Sequence, residues 1–356
     1  MPATGNSVSL PTARCRVTGV GAVTRRRAME IAGGALLGAA GAAALPSFRG
    51  PKTASAAEAD SAPDVARSQG DAATQRLRIA TCQFPVTVDV AANARSIRDF
   101  LHKASQQGAH LLHTSEACLS GYAGSDFPSF ANFDWDTLRK ETTALRSLAG
   151  ELKMWLVLGS AHFLDDTTKP TNCLYLIDPD GKIADRYDKS FCTAGDQRHY
   201  SAGNRLVVHV IRGVKVGLAI CYDICWPQLY VAYRELGVTV MIHSFYNAGA
   251  KGKNCLDVLN VHQVPTRCAD NRLWAVANNS SRPYSHWGSF IARPDATIAQ
   301  QLDINQPGML VHDFPDTLSE GGWYHNQQPM KIRDDEIMTW GTPSHHPRQT
   351  NGQCEP

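Results

Sequence analysis

The chain has 356 residues, of which 43% are hydrophobic and 19% charged, and its formal net charge is +2. This length and apolar content suffice for a large soluble core, and the chain has no basic stripe with interleaved aromatics of the kind that binds nucleic acid. The ten cysteines are too few and too scattered for a disulfide scaffold, and no C-x-x-C pair stands at zinc-finger spacing.

The first 56 residues are predicted to be an export signal. Arg25-Arg26-Arg27 precedes a mild apolar segment rich in Ala and Gly, and the small residues 54–57 follow it. These are the parts of a secretory signal, and adjacent arginines before a weakly apolar segment resemble the twin-arginine type. We therefore expect cleavage after Ala56, export to the periplasm or the exterior, and no stable membrane insertion afterwards. A cytoplasmic location is the alternative, because a reactive thiol suits a reducing compartment.

Three further regions follow the signal. Residues 57–74 have the composition of a linker, residues 75–314 are predicted to form one α/β domain, and residues 315–356 are predicted to be an extended tail. Strands alternate with helices along the domain, which is typical of a layered α/β fold. The strands are predicted at 77–84, 109–114, 155–160, 215–221, 238–243, 274–279 and 288–295, with a hairpin of two strands at 172–184, and the helices at 91–107, 136–153, 227–236 and 254–271.

Cys221 stands where a predicted strand ends and the chain turns towards a helix. The run that follows Lys215, up to Ile220, is apolar and contains β-branched residues, and Trp226-Pro227 opens a segment with helical apolar spacing. A thiol at such an elbow lies near backbone N–H groups and the positive end of a helix dipole, which favours the nucleophilic thiolate. Cys221 is thus a candidate nucleophile, with a small buried hydrophobe as the alternative.

Two charged residues stand at other predicted strand ends. Glu116 follows the second strand, and Lys189 follows a hairpin. A thiol that attacks a carbon–nitrogen centre needs a base that takes its proton and returns it to the leaving amine. It also needs a cation or N–H donors where the oxyanion develops. Glu, Lys and Cys at one sheet edge would supply base, cation and nucleophile.

The chain resembles the carbon–nitrogen hydrolase, or nitrilase, superfamily over roughly residues 77–314. The resemblance rests on three motifs in order, which are SEACLSGY at Ser115–Tyr122, YDK at Tyr187–Lys189 and GLAICYD at Gly217–Asp223. It implies a four-layer α-β-β-α sandwich, commonly dimerised sheet to sheet, so we expect a homodimer or higher homo-oligomer.

The resemblance also implies a mechanism. Cys221 would be the nucleophile, Glu116 the general base and later acid, and Lys189 would stabilise the oxyanion together with the backbone N–H of Tyr222. A thioester acyl-enzyme would form, ammonia or an amine would leave, and water would release a carboxylic acid. The resemblance implies no metal and no organic cofactor, and the expected partner is a small amide or nitrile.

Further residues are candidates for the substrate pocket. Many members of the superfamily carry a second Glu at the place that Gln197 holds here, and the adjacent Asp196 is the alternative. The remaining pocket candidates flank the motifs or follow the strand after the nucleophile, and they are Tyr122, Trp226, His243, Tyr246 and Asn247. We expect Cys225 to pack rather than to pair with Cys221, and Asp223 to cap the turn.

The leading hypothesis is an amidase with a Glu–Lys–Cys triad. A nitrilase would use the same three residues, and so would an N-carbamoyl hydrolase, in which Arg198 or Lys251 would bind the substrate carboxylate. A catalytically silent binding or assembly protein of the same fold is the alternative from another class.

Overall fold

The computed structural model describes residues 76–165, 168–249, 251–253 and 255–314. The predicted export signal, the linker and the C-terminal tail lie outside these residues. Within the described ranges, no helix is long and apolar enough to cross a membrane.

The described residues form strands and helices that alternate along much of the chain. In chain order the elements are β1 (Leu77–Gln83), α1 (Val90–Gln106), β2 (Leu111–His113), α2 (Trp135–Glu151), β3 (Trp155–His162), β4 (Thr171–Ile177), β5 (Ile183–Asp188), β6 (Val208–Ile211), β7 (Val214–Ile220), α3 (Pro227–Glu235), β8 (Val240–Ser244), α4 (Leu256–Asn271), β9 (Trp274–Asn278), β10 (Phe290–Ala292), β11 (Ile298–Gln301) and β12 (Gly308–Phe314). Two short 3-10 helices, Asp196–Arg198 and Cys221–Cys225, lie in the connections.

The strands form two six-stranded sheets. Their orders are β12-β1-β2-β3-β4-β5 and β11-β10-β9-β8-β7-β6. β1, β2 and β3 are parallel to one another, as are β7, β8 and β9, while the outer pairs are antiparallel. The carboxyl ends of the parallel strands in each sheet therefore meet at one edge, where α/β proteins place their ligands.

Three buried apolar clusters separate four layers. One lies between helices α1 and α2 and the first sheet and includes Ile97 and Leu158. The second joins the two sheets and includes Leu111 and Ile242. The third lies between the second sheet and helices α3 and α4 and includes Tyr233. The predicted α-β-β-α sandwich is thus confirmed.

The close packing of α3 on the second sheet depends on a glycine. A Cβ at Gly217, in the middle of β7, would lie 2.7 Å from the ring of Tyr233 on α3. The absence of a side chain lets the helix that follows Cys221 pack directly on the strand that precedes it.

Three strands were not predicted from the sequence. β6 pairs with β7 through the turn Arg212-Gly213, whose φ angles of 50° and 82° are left-handed. This pair is the turn of a hairpin. β11 and β12 carry partly exposed side chains, so neither has a clear alternation of apolar and polar residues. β12 pairs antiparallel with β1, and Leu77 lies opposite Phe314.

Candidate active site

The three predicted catalytic residues come together at one edge of the sandwich. Lys189 directly follows β5, Glu116 follows β2, and Cys221 directly follows β7 in the other sheet. Nζ of Lys189 lies 2.7 Å from Oε1 of Glu116, and both side chains are fully buried. The charges of both residues act on the Cys221 thiol. The three residues meet, but the expectation that they share one sheet edge was wrong, because Glu116 and Lys189 follow strands of the first sheet and Cys221 follows a strand of the second.

Cys221 occupies a strained elbow. Its φ is 43°, in the left-handed region that non-glycine residues rarely adopt. Its side chain is half-buried, and the 3-10 helix Cys221–Cys225 leads on to α3 at Pro227. Strained backbone of this kind clusters at active sites, where the surrounding structure holds it in place.

Asp223 holds the elbow and the lysine loop together. Its Oδ2 accepts hydrogen bonds from the backbone N–H of Ile220 at 2.8 Å and the hydroxyl of Tyr187 at 2.7 Å. Its Oδ1 accepts one from the N–H of Phe191 at 2.9 Å. The predicted cap of the turn is confirmed, and the same carboxylate also fixes the residues on either side of Lys189. Burial raises the pKa of Asp223 to about 6.

Glu116 presents one free carboxylate oxygen. Oε1 accepts from Lys189 and from Nδ2 of Asn172 at 2.7 Å, whereas Oε2 is buried and has no partner. Burial raises the pKa of Glu116 although Lys189 opposes the shift. A carboxylate with raised proton affinity and an unoccupied oxygen is suited to take and return a proton. Gly159 on β3 allows the loop that carries Glu116 to lie close to this strand, since a Cβ at residue 159 would lie 1.9 Å from the carbonyl oxygen of Ser115.

Lys189 contacts a second carboxylate, and it belongs to Asp196. Nζ lies 2.9 Å from Oδ2 of Asp196, which also accepts from the backbone N–H of Thr193 at 2.8 Å, while Oδ1 accepts from the hydroxyl of Tyr122. Burial opposes the charge on Lys189, but Glu116 and the other neighbouring groups raise its pKa well above the usual value. The ammonium is therefore held charged between two acids.

The structure favours Asp196, the alternative that the sequence left open, over Gln197 as the second acidic position. The side chain of Gln197 is exposed, whereas the preceding residue, Asp196, is 1% exposed and faces Lys189. Both residues belong to a 3-10 helix of three residues, in which consecutive side chains point about 120° apart, so one can face inward and the next outward. Although burial opposes ionisation of Asp196, Lys189 lowers its pKa.

The expectation that the elbow favours a thiolate was also wrong. Burial raises the pKa of the Cys221 thiol, and the negative charge of Glu116 raises it further, while Lys189 opposes the shift. The helix after the cysteine is a 3-10 turn of five residues, so its dipole is small. The resting thiol is therefore protonated and needs a base.

A cavity of about 870 Å³ is lined by the residues that directly follow Lys189 and Cys221, namely Ser190 and Tyr222, although the three catalytic side chains themselves do not line it. Its walls include Tyr222 next to the nucleophile, and two stacked rings, Phe191 and Trp226, whose centroids are 4.1 Å apart. Gln197 also lines it. The predicted pocket residues Trp226 and Gln197 thus face this cavity.

Two of the other pocket candidates lie directly against the catalytic side chains. Tyr122 and Asn247 contact the catalytic side chains, since the Tyr122 hydroxyl is 3.5 Å from Nζ of Lys189 and Nδ2 of Asn247 is 3.6 Å from Sγ of Cys221. The Tyr246 ring lies 5.0 Å from that of Tyr122.

His243 packs inside the core. It is fully buried, stacks on Phe245 at 4.2 Å and bonds the Tyr230 hydroxyl at 2.7 Å. Burial lowers its pKa to about 3, so the ring is neutral. Cys225 packs against the third apolar cluster, and it and Cys221 are both free thiols.

Asn172 is a site residue that the sequence interpretation did not single out. It lies fully buried on β4, within the run Thr-Asn-Cys-Leu-Tyr-Leu-Ile. A polar amide inside an otherwise apolar buried strand is the signal that marks it, because such a group needs a buried partner.

Comparisons with known proteins give a consistent result. The profile of the family described as "Carbon-nitrogen hydrolase" matches residues 78–320. The deaminated glutathione amidase of Dictyostelium discoideum is 25% identical over 265 residues, which are 68% of this chain and 85% of the relative. The human omega-amidase NIT2 is 23% identical over 263 residues, 67% of this chain and 92% of the relative.

The fold also matches a solved structure. The crystal structure of an amidase from Nesterenkonia sp. superposes with a TM-score of 0.60 at 23% sequence identity, covering 69% of this chain and 92% of that chain. At this level of identity the likeness concerns the fold.

Proposed function

The chain belongs to the carbon–nitrogen hydrolase family, and from this premise we propose that it is an amidase in which Cys221 carries the acyl group as a thioester. The observation that carries the proposal is the arrangement of Glu116, whose Oε1 is held by Lys189 and Asn172 while the buried Oε2 is left open. The names of the relatives favour an amide over a nitrile, because both are amidases.

The proposed reaction begins with the neutral thiol. Cys221 gives its proton to Oε2 of Glu116 as the sulfur attacks the amide carbonyl carbon. The oxyanion that forms is stabilised by the ammonium of Lys189 and the backbone N–H of Tyr222. The carbon–nitrogen bond then breaks, and Glu116 returns the proton to the departing nitrogen, which leaves as ammonia or an amine.

The second half repeats these roles with water. Glu116 takes a proton from a water molecule, whose oxygen attacks the thioester carbon. The carbon–sulfur bond breaks, the carboxylic acid leaves, and the proton passes to the sulfur. Asp196 takes no proton in this scheme, because Lys189 lowers its pKa and holds it as the carboxylate.

The substrate is proposed to be a small amide that occupies the cavity beside Tyr222. A volume of about 870 Å³ lies within the range of about 300–1,000 Å³ that is typical of small-molecule sites. The stacked rings of Phe191 and Trp226 offer an apolar wall for the part of the substrate that does not react.

The test is release of ammonia from a panel of amides, nitriles and N-carbamoyl amino acids. We expect turnover of at least one amide, and a loss of at least about 10³-fold in Cys221→Ala and Glu116→Gln. Cys225→Ala is the matched control, since this thiol packs four positions further on and should retain activity. Unchanged turnover in Cys221→Ala would refute the mechanism, and turnover of nitriles alone would refute the amidase assignment.

Export through the twin-arginine route is proposed as well. It is supported by Arg25-Arg26-Arg27 before the weakly apolar segment. Replacing all three arginines by lysine should retain the protein in the cytoplasm, whereas wild type should be recovered outside it; equal distribution of the two in cell fractionation would refute the proposal.

A further inference from the structure

Asn247 connects the nucleophile to a buried hydrogen-bond network in the second sheet. Its Nδ2 lies 3.6 Å from Sγ of Cys221. At the other end of the same amide, Oδ1 accepts hydrogen bonds from Nδ2 of Asn260 at 2.6 Å and from Nε1 of Trp287 at 3.1 Å. The three side chains are nearly excluded from solvent, with residue exposures of 5%, 3% and 1%.

The orientation of this amide follows from the chemistry of its neighbour. The nitrogen and oxygen of an asparagine side chain look alike, so their assignment rests on the hydrogen-bond network. An indole N–H donates and cannot accept. The atom of Asn247 next to Trp287 must therefore be the oxygen, and the amide N–H group must face the sulfur of Cys221.

The backbone of Asn247 is held as firmly as its side chain. Its N–H donates to Oδ1 of Asn279 at 2.7 Å, and Nδ2 of Asn279 donates back to its carbonyl at 3.3 Å. Asn260 is carried by α4 and Asn279 directly follows β9, so two separate elements fix the amide. A donor fixed in this way stabilises a charge without reorganisation at the moment of reaction.

We propose that Asn247 is a further catalytic residue, which donates a hydrogen bond to the sulfur of Cys221 and stabilises the attacking thiolate. Asn260 and Trp287 are positioning residues that act through it. The inference rests on the proposed function in one respect, namely that Cys221 is the nucleophile.

The charges around the sulfur explain why such a donor is needed. The ionisable groups that face Cys221 from the first sheet and its loops are Glu116, Lys189, Asp196 and Tyr122, and the neutral His243 lies on β8. Both carboxylates oppose formation of a thiolate, and the cation of Lys189 is shared between them. The amide of Asn247 approaches from the second sheet and carries no charge.

The test is the pH dependence of alkylation of Cys221 by iodoacetamide, followed by mass spectrometry of the peptide that contains it. Asn247→Leu keeps the size and removes the donor, so the apparent pKa of alkylation should rise by about one unit or more, which is tenfold less thiolate at a given pH. Trp287→Phe keeps a ring and removes the orienting N–H, and it should shift the same pKa by a smaller amount. Trp274→Phe, at a buried tryptophan between the sheets, is the matched control and should leave it unchanged.

Kinetics separate this role from substrate binding, since kcat should fall about tenfold in Asn247→Leu with little change in KM. An unshifted alkylation pKa in both Asn247→Leu and Trp287→Phe would overturn the inference while leaving the amidase proposal intact. Trp287→Phe alone decides the matter if Asn247→Leu does not fold. Wild-type Cys221 that resists alkylation at every pH would overturn the proposed nucleophile and this inference together.

Discussion

The ammonium of Lys189 lies 2.7 Å from Oε1 of Glu116, and neither side chain is exposed to solvent. Asp196 places a second carboxylate 2.9 Å from the same nitrogen. The buried group thus contains two acids and one cation. Because an uncompensated charge is costly in a dry site, the burial of both acids depends on Lys189.

Removal of this cation should cost more stability than removal of one acid. We expect Lys189→Met to lower the free energy of unfolding by about 3–5 kcal/mol, since it leaves two buried carboxylates without a counter-ion. Glu116→Gln should cost less, because Lys189 remains paired with Asp196. Urea denaturation at pH 7 measures both values. A smaller loss of unfolding free energy in Lys189→Met than in Glu116→Gln would show that burial of the two acids does not depend on Lys189.

Asn172 should act on catalysis through Glu116. Its Nδ2 donates to Oε1 at 2.7 Å, so Asn172→Leu should loosen the base and lower kcat by about 10²-fold. Loss of a donor to the ionised carboxylate should also move the acidic limb of the kcat/KM profile to higher pH. Thr171→Val on the same strand is the control, because Thr171 bonds Asp188 instead. An acidic limb that stays in place would mean that Asn172 has a packing role alone.

Substitutions at Asp196 and at the adjacent Gln197 should have different effects on catalysis. Asp196→Asn removes the second charge beside Lys189, and we expect kcat/KM to fall by about 10²-fold or more because the ammonium is then held by one acid. Gln197→Ala changes an exposed side chain at the cavity wall, so its effect should be confined to a few-fold in KM. Steady-state kinetics on the same amide would decide the point. A larger loss in Gln197→Ala would reverse our assignment of the two positions.

Stability should fall in acid because of buried neutral histidines. His113 is fully buried between the hydroxyls of Ser244, 2.8 Å from Nε2, and Thr81, 3.2 Å from Nδ1, and burial lowers its pKa to about 3. The unfolded residue has a pKa of about 6.5, so between these values the unfolded chain binds a proton that the folded chain does not. The contribution of neutral His113 to the free energy of unfolding is therefore fully present above about pH 6.5. It is lost as the pH falls below that value, by up to about 1.4 kcal/mol per pH unit.

His113→Gln tests this account by removing the titrating ring. The free energy of unfolding, measured in urea between pH 6 and 4, should fall with a slope that is shallower by about 1.4 kcal/mol per pH unit than in wild type. Equal slopes in the two proteins would mean that His113 does not cause the loss of unfolding free energy in acid, whatever the absolute stability of the variant.

The sequence predicts the triad because each member follows a strand. Buried strands are continuous apolar runs, and the polar residue after each run stands out, as Glu116 and Cys221 do. The alternation of strands with helices predicts a layered α/β fold, whereas the α-β-β-α order of the layers was implied by the resemblance to the carbon–nitrogen hydrolases. The half-exposed strands β6, β11 and β12 escaped prediction because their pairing partners, and not their own composition, make them strands.

The finer parts of the site depend on contacts that no local pattern encodes. Asn247 and Trp287 meet because of the path of the loop after β9, which the spacing of residues does not specify. Asp196 and Gln197 are consecutive residues of one three-residue helix, and Asp196 is the one that contacts Lys189. Positions predicted from sequence are uncertain by one or two residues, so the sequence does not choose between them. The raised pKa of Cys221 is likewise not encoded locally, because it results from burial, which depends on how the layers pack against one another.

In the proposed reaction Cys221 carries the acyl group. The most direct measurement uses a phenyl ester of an acid whose amide the enzyme hydrolyses, since an activated ester acylates quickly and lets the intermediate accumulate. After an acid quench, mass spectrometry of wild type should find the acyl mass on the peptide that contains Cys221, and hydroxylamine should remove it. Cys221→Ser should lack the hydroxylamine-labile thioester. Turnover of the amide and the ester with no acyl group on Cys221, or with the group on another cysteine such as Cys192, would show that Cys221 is not the nucleophile.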